Sequence, residues 1–140
     1  MKQKVIICGA GRVGTSITEH LSSEGFDITV IDSNPEAVQR ITELYDVQGV
    51  LGLASYPNVL EDAGIKDTDM IIAVTQSDEI NIAACHVAKS IFGTPTMIIR
   101  IRSKEYLDPK YSNYLLKNVG VNRIILPEDE VANAIVNQWR

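Results

Sequence analysis

No uninterrupted hydrophobic run in this chain approaches the roughly 18 residues that a membrane span requires, so an integral membrane protein is not expected. The two cysteines, Cys8 and Cys85, are far apart and form no CxxC pair. Each sits among apolar neighbours, where cysteine behaves as a small buried hydrophobe, so a disulfide is not expected. His20 and His86 have no cysteine or acid at metal-ligand spacing, and neither a G-x-S-x-G elbow nor a Cys/His pairing can be recognised. Basic charge is also scarce. Thirteen Lys and Arg against 18 Asp and Glu leave a net charge of −5, which argues against a general nucleic-acid role, because phosphate neutralisation needs clustered cations. Arg100, Arg102 and Lys104 form the only basic cluster, and it is short. The start, Met-Lys-Gln-Lys-Val-Ile-Ile-Cys, runs straight into a strand-like stretch without a long apolar leader. Secretion is therefore not expected, and the cytoplasm is the default compartment.

What the chain does contain is a regular alternation. Its 140 residues suit one domain and are too few for a nucleotide domain plus a substrate domain. Short Val- and Ile-rich runs at 4–8, 27–31, 48–51, 70–74, 96–101 and 123–126 read as strands covered on both faces. The segments between them have helical spacing. Val13, Ile17 and Leu21 recur every four residues, and Ile80, Ala83, Ala84, Val87, Ala88 and Ile91 suggest a second apolar stripe. Asn34-Pro35-Glu36 and Thr75-Gln76-Ser77-Asp78 have the outline of capped helix starts. Strands alternating with helices imply parallel pairing through right-handed crossovers, hence a Rossmann-like α/β fold: a doubly wound parallel sheet in a single domain with a C-terminal helix. In such sheets ligands bind beyond the carboxyl ends of the strands, where the strand order reverses.

The first strand runs directly into Gly9-Ala10-Gly11-Arg12-Val13-Gly14. Each glycine has a physical task in this G-x-G-x-x-G turn. Gly9 permits the tight bend, Gly11 lets backbone approach a pyrophosphate, and Gly14 lets the helix pack closely on the sheet. The unpaired N–H groups at the helix start then face an anion, and Arg12 can add a charge-assisted contact. A glycine turn without a ligand is the competing explanation, and the motif alone does not exclude it. The second strand, however, ends in Asp32, 18 positions after Gly14, where a carboxylate can accept from both hydroxyls of a ribose and repel a 2′-phosphate. NAD is therefore favoured over NADP, but ATP, ADP and AMP present the same diol. Thr75 and Gln76 follow the fourth strand at the same edge of the sheet, and Arg100 ends the fifth. Each fits a ligand contact, and each fits an ordinary helix cap or strand-end residue equally well. Glu128-Asp129-Glu130 most simply complements a helix start after Pro127.

Several motifs recur in one order: Gly9 to Gly14, Ile31-Asp32, Val59 to Gly64, Ala73 to Asn81, Ile98 to Tyr106 and Ile125 to Glu128. Together they resemble the TrkA family, regulatory subunits of bacterial Trk potassium uptake, and its relatives with domains that regulate potassium conductance. The resemblance spans nearly the whole chain and is most specific from Asp69 to Tyr106. It implies a cytoplasmic protein, peripheral to the inner face of the cell membrane, that binds NAD(H) or adenine nucleotides such as ATP and ADP. It also implies dimers or tetramers that dock on a membrane potassium transporter and gate it. Carried over position by position, Gly9 through Val13 would hold the pyrophosphate and Asp32 the adenosine ribose. Thr75 and Gln76 would line the second half of the site, and Arg100 would approach the phosphates.

The chain departs from this family at one point. Many relatives have Gly-Asp-Ala after the third strand, where the Asp helps fix the adenine end, whereas here the stretch is Gly52-Leu53-Ala54-Ser55. Relatives also usually contain two such halves, each with a smaller domain behind it, so the chain is expected to be part of a longer protein or a one-domain relative. A final helix with Val131, Ile135 and Trp139 on one stripe is expected to mediate dimerisation. Two other functions compete. An oxidoreductase fragment shares the first βαβ unit, but no general acid or base for a substrate pocket is found. A binding module for another partner is compatible with the same fold.

Overall fold

A computed structural model of the chain describes residues 2–111 and 113–127. The proposed helix bearing Val131, Ile135 and Trp139 and the acidic run Glu128-Asp129-Glu130 lie outside the described residues.

Six parallel strands form one sheet: β1 (Lys4–Cys8), β2 (Asp27–Asp32), β3 (Gln48–Leu51), β4 (Met70–Ala73), β5 (Thr96–Arg100) and β6 (Arg123–Ile125). Their spatial order is β3-β2-β1-β4-β5-β6. The order reverses between β1 and β4, so the chain ends of these two strands splay to opposite sides and open a crevice. All six strands start where the sequence-based ranges start, and four of them end one residue away from those ranges, a difference that hydrogen bonding at the strand end decides.

Period-2 alternation divides the apolar side chains between two layers. Val5, Ile7, Ile28, Val30, Met70 and Ile72 face the layer of α1 (Arg12–Ser23) and α2 (Pro35–Leu44), which contributes Ile17, Leu21, Ala37 and Ile41. Ile6, Cys8, Ile31, Ile71, Ala73 and Ile99 face the opposite layer, built from α3 (Pro57–Asp62) and α4 (Asp78–Phe92) with Val59, Leu60, Ala84, Cys85 and Ala88. Because strands such as β4 are buried on both faces, alternation of polar residues is absent from them, as the sequence suggested. Both cysteines are free and buried, in line with their reading as core residues.

Asn34 caps α2 as expected, its side-chain oxygen accepting from the Glu36 N–H at 2.9 Å ahead of Pro35. At α4 the expectation is corrected. Ser77, not Thr75, is the cap, with its hydroxyl accepting from the Ile80 N–H at 3.2 Å. The apolar stripe read from the sequence is also rotated. Asp78, Asn81, Ile82, Ala84, Cys85 and Ala88 face inward, while Ile91 is 59% exposed. Two polar residues on the inward face are tolerated because the strand ends supply them with hydrogen-bond partners. Three small elements were not anticipated: a 3₁₀ turn at Ile65–Asp67, a short helix α5 at Lys104–Leu107 and a π-helical turn at Tyr114–Val119. None has the length over which hydrophobic periodicity is legible.

Candidate functional site

The glycine turn is fixed by its neighbours on both sides. The Gly9 N–H donates to the Ile31 carbonyl of β2 at 2.8 Å, and the Val74 N–H donates to the Cys8 carbonyl at 2.9 Å. Gly9 takes φ +116°, and a Cβ there would meet the Val74–Thr75 backbone at 3.0–3.1 Å, so both conformation and space require glycine. Gly14 serves the packing role assigned to it, since a Cβ would lie 1.7 Å from the Gly9 carbonyl oxygen. Gly11 differs from both. A Cβ there would meet nothing within 4 Å, because the residue faces open space in the crevice. It is the N-cap of α1 and offers no side-chain cap, so the first N–H groups of the helix point out as unpaired donors.

The crevice above this turn encloses about 740 Å³. Gly9, Ala10, Gly11, Arg12, Val13, Asp32, Thr75, Gln76 and Arg100 all line it. Of the sequence-derived candidates only Gly14 does not, because it is buried under the turn. The half-buried Asp32 carboxylate is held firmly: Oδ2 accepts from the Ala10 N–H at 2.7 Å and Oδ1 from the Asn34 N–H at 2.8 Å. Each oxygen retains a free lone pair toward the crevice, the geometry a ribose diol needs.

Sequence reasoning missed two arginines. Arg40, on α2, lines the same end as Asp32 and donates to the Ala10 carbonyl at 3.2 Å. Arg102 lines the opposite end, beyond β5. No local signal separates Arg40 from a solvated helix residue; it is brought in by the packing of α2 on the sheet. Among the described residues, Arg12, Arg40, Arg100 and Arg102 thus stand against a single acidic lining residue, Asp32, although the chain as a whole is acidic. Arg100 registers the crowding. Burial foremost, then the positive charges of Arg102 and Arg12, hold its guanidinium below the usual arginine range, against the pull of Asp78. Its buried Nε has no hydrogen-bond partner. Clustered cations with spare donors are poised for an anion.

Thr75 is less free than the sequence suggested. Its hydroxyl donates to Asn81 Oδ1 at 2.7 Å and accepts from the Ser77 N–H at 3.2 Å, so it serves the loop first. Gln76 is exposed at the crevice edge. At the other end, Leu53 and Ala54, in the stretch Gly52-Leu53-Ala54-Ser55 after β3, join Ile31 and Ala37 in an apolar wall. Among the described residues no group of His, Cys, Asp and Glu is arranged to hold a metal, and no helix is long and apolar enough to cross a membrane.

Comparison with known proteins places this geometry. The Trk system potassium uptake protein TrkA of Azorhizobium caulinodans is 43% identical over 136 residues, covering 96% of this chain and 30% of that protein. Its counterpart from Haemophilus influenzae is 45% identical over 132 residues, covering 94% and 29%. The chain therefore spans about 30% of the length of these two relatives. Among solved structures, the TrkA-N domain of the inner membrane protein ybaL from Escherichia coli superposes with a TM-score of 0.78 at 19% identity, covering 100% of this chain and 98% of that one. The GsuK channel bound to NAD gives 0.72 at 19%, covering 89% and 21%. The AMP-bound C-terminal domain of Shewanella denitrificans Kef gives 0.73 at 20%, covering 97% and 77%. These likenesses concern the fold. The sequence match to the TrkA-N domain runs from residue 5 to residue 127, and the chain belongs to that family.

Proposed function

We propose that this chain is a non-enzymatic, nucleotide-binding regulatory module acting on a membrane potassium transporter of the Trk type, with NAD(H) as its ligand and ATP or ADP as the alternative. The observation that carries the reading is the pairing of two features in one crevice: a backbone-anchored Asp32 at one end of the glycine turn, and the cluster Arg12, Arg100 and Arg102 at the other. A diphosphate placed over the Gly11–Val13 amides would neutralise the arginines, while the adjoining ribose would meet Asp32. Leu53 and Ala54 suit the face of an adenine ring, without a carboxylate to select its edge.

Relatives and neighbours support each half of the proposal. TrkA relatives are potassium uptake proteins by name, and GsuK and Kef, which share the fold, are seen with NAD and AMP. Regulation would proceed by a difference in ligand affinity between two arrangements of an assembled dimer or tetramer docked on the cytoplasmic face of the membrane. Side-by-side calorimetric titration with NAD, NADH, NADP, ATP and ADP tests the ligand. Binding of NAD or NADH without turnover is expected; failure of every nucleotide to bind would remove the proposal. Capture of a Trk-type transporter subunit by the immobilised protein tests the partner.

A further inference from the structure

Asn81 lies in the second turn of α4, is 1% exposed, and has all its side-chain hydrogen-bonding directions occupied by backbone or hydroxyl groups of two different strand ends. Its Oδ1 accepts from the Thr75 N–H at 2.9 Å and from the Thr75 hydroxyl at 2.7 Å. Its Nδ2 donates to the Thr75 carbonyl at 3.2 Å and to the Arg100 carbonyl at 3.0 Å. One turn earlier, the Asp78 carboxylate, 8% exposed, accepts from the Arg102 N–H at 3.0 Å and the Ser103 N–H at 2.8 Å. The first turns of α4 therefore hold the segment after β4 and the segment after β5 in one fixed relation.

A purely structural explanation does not account for where these bonds go. The buried Asn81 amide and Asp78 carboxylate need partners, but those found here are groups of Thr75, Arg100, Arg102 and Ser103, the first three of which line the crevice. A side-chain amide is suited to this task, because it carries acceptor and donor on one rigid plane and can clamp two carbonyls and an N–H together without a charge. We infer that Asn81, assisted by Asp78, is a positioning residue that sets the second half of the nucleotide crevice, so that it governs binding of the part of a dinucleotide beyond the first phosphate while leaving the adenosine end untouched.

The inference rests on the reading of the crevice as a nucleotide site, and two probes separate the two claims. On that reading AMP would reach only the glycine turn and Asp32, whereas NAD would extend over Thr75 and Arg100. Asn81→Asp keeps size and the Oδ1 acceptor but sets an oxygen against two carbonyls. It is expected to weaken NAD binding about tenfold or more by calorimetry, the scale of losing one to two hydrogen bonds' worth of ordering, and to change AMP binding less than about threefold. Asp78→Asn, which preserves one acceptor and the Ser77 cap, is expected to move the NAD-to-AMP affinity ratio the same way by a smaller factor. It decides the matter if Asn81→Asp does not fold. In Asp78→Asn one of the Arg102 and Ser103 amides, which both donate to the Asp78 carboxylate, should lose its protection from hydrogen exchange. Equal loss of both ligands, or loss of neither, overturns the positioning role, because a general fall in stability would not distinguish them. Failure of the unaltered protein to bind AMP and NAD at all would instead sink the nucleotide reading, and this inference with it.

Discussion

The Asp32 carboxylate accepts a 2.7 Å hydrogen bond from the backbone N–H of Ala10, two strands' ends joined by one side chain. On the next peptide plane the Ala10 carbonyl accepts from Arg40. The glycine turn is thus gripped from β2 and α2 before any ligand arrives, so the donors of α1 need little reorganisation to meet an anion. Asp32→Ala is expected to weaken NAD binding by about 1–3 kcal/mol, the cost of leaving polar partners unsatisfied. Calorimetric titration reads this directly, and full-strength binding by the variant would count against the site.

Two glycines of the turn should separate folding from binding. In Gly14→Ala the new Cβ would need to occupy a point 1.7 Å from the Gly9 carbonyl oxygen, so α1 must move off the sheet. Overpacking of this kind costs about 1–3 kcal/mol or more, seen as a lowered thermal midpoint. Gly11→Ala meets nothing within 4 Å. Its stability should change by less than about 1 kcal/mol, since only an exposed N-cap is altered. Its methyl group nevertheless stands where a pyrophosphate would approach, so nucleotide affinity should fall. Loss of stability without loss of binding in Gly11→Ala would reverse the assignment.

Arg102 sets a trade-off between charge repulsion and ligand attraction. It is exposed, and its charge adds to burial, the larger cause, in holding the Arg100 guanidinium below the usual arginine range. Arg102→Gln should leave the stability of the ligand-free protein within about 0.5 kcal/mol or raise it slightly, as one like charge is removed from the cluster. NAD affinity should fall, and its dependence on salt should become shallower. Titrations at two ionic strengths with parallel thermal melts test both limbs.

Burial raises the Cys8 thiol from 9.0 to about 12 and pushes Cys85 the same way, with the Cys8 charge adding to the effect at Cys85. The neutral thiol is the folded form, so this contribution to stability is complete below pH 9 and is lost as pH climbs toward about 12. Maleimide labelling at neutral pH should be negligible in the native protein and rapid in denaturant. Rapid labelling of the native state would contradict the buried placement.

The two β–turn–α units and the phosphate turn were legible because their signals are local. Gly14 answers to the Gly9 carbonyl five residues before it and Gly9 to its own positive φ, and β4 advertises itself by being apolar on both faces. The stripe of α4 was misjudged for a related reason: hydrophobicity alone cannot reveal that Asp78 and Asn81 face inward, since their burial depends on backbone groups at the end of β5 and just beyond it, as well as on Thr75 after β4. Arg40 was invisible for the same cause.

The amino-acid order by itself determined the alternation of strands and helices, the glycine turn and the acid that ends β2, because backbone conformation and period are set by adjacent residues. Only the tertiary structure decided which side chains meet across the crevice. The sheet order brings the ends of β2, β4 and β5 around the start of α1, and that convergence, set by long-range packing, turns separate residues into a site.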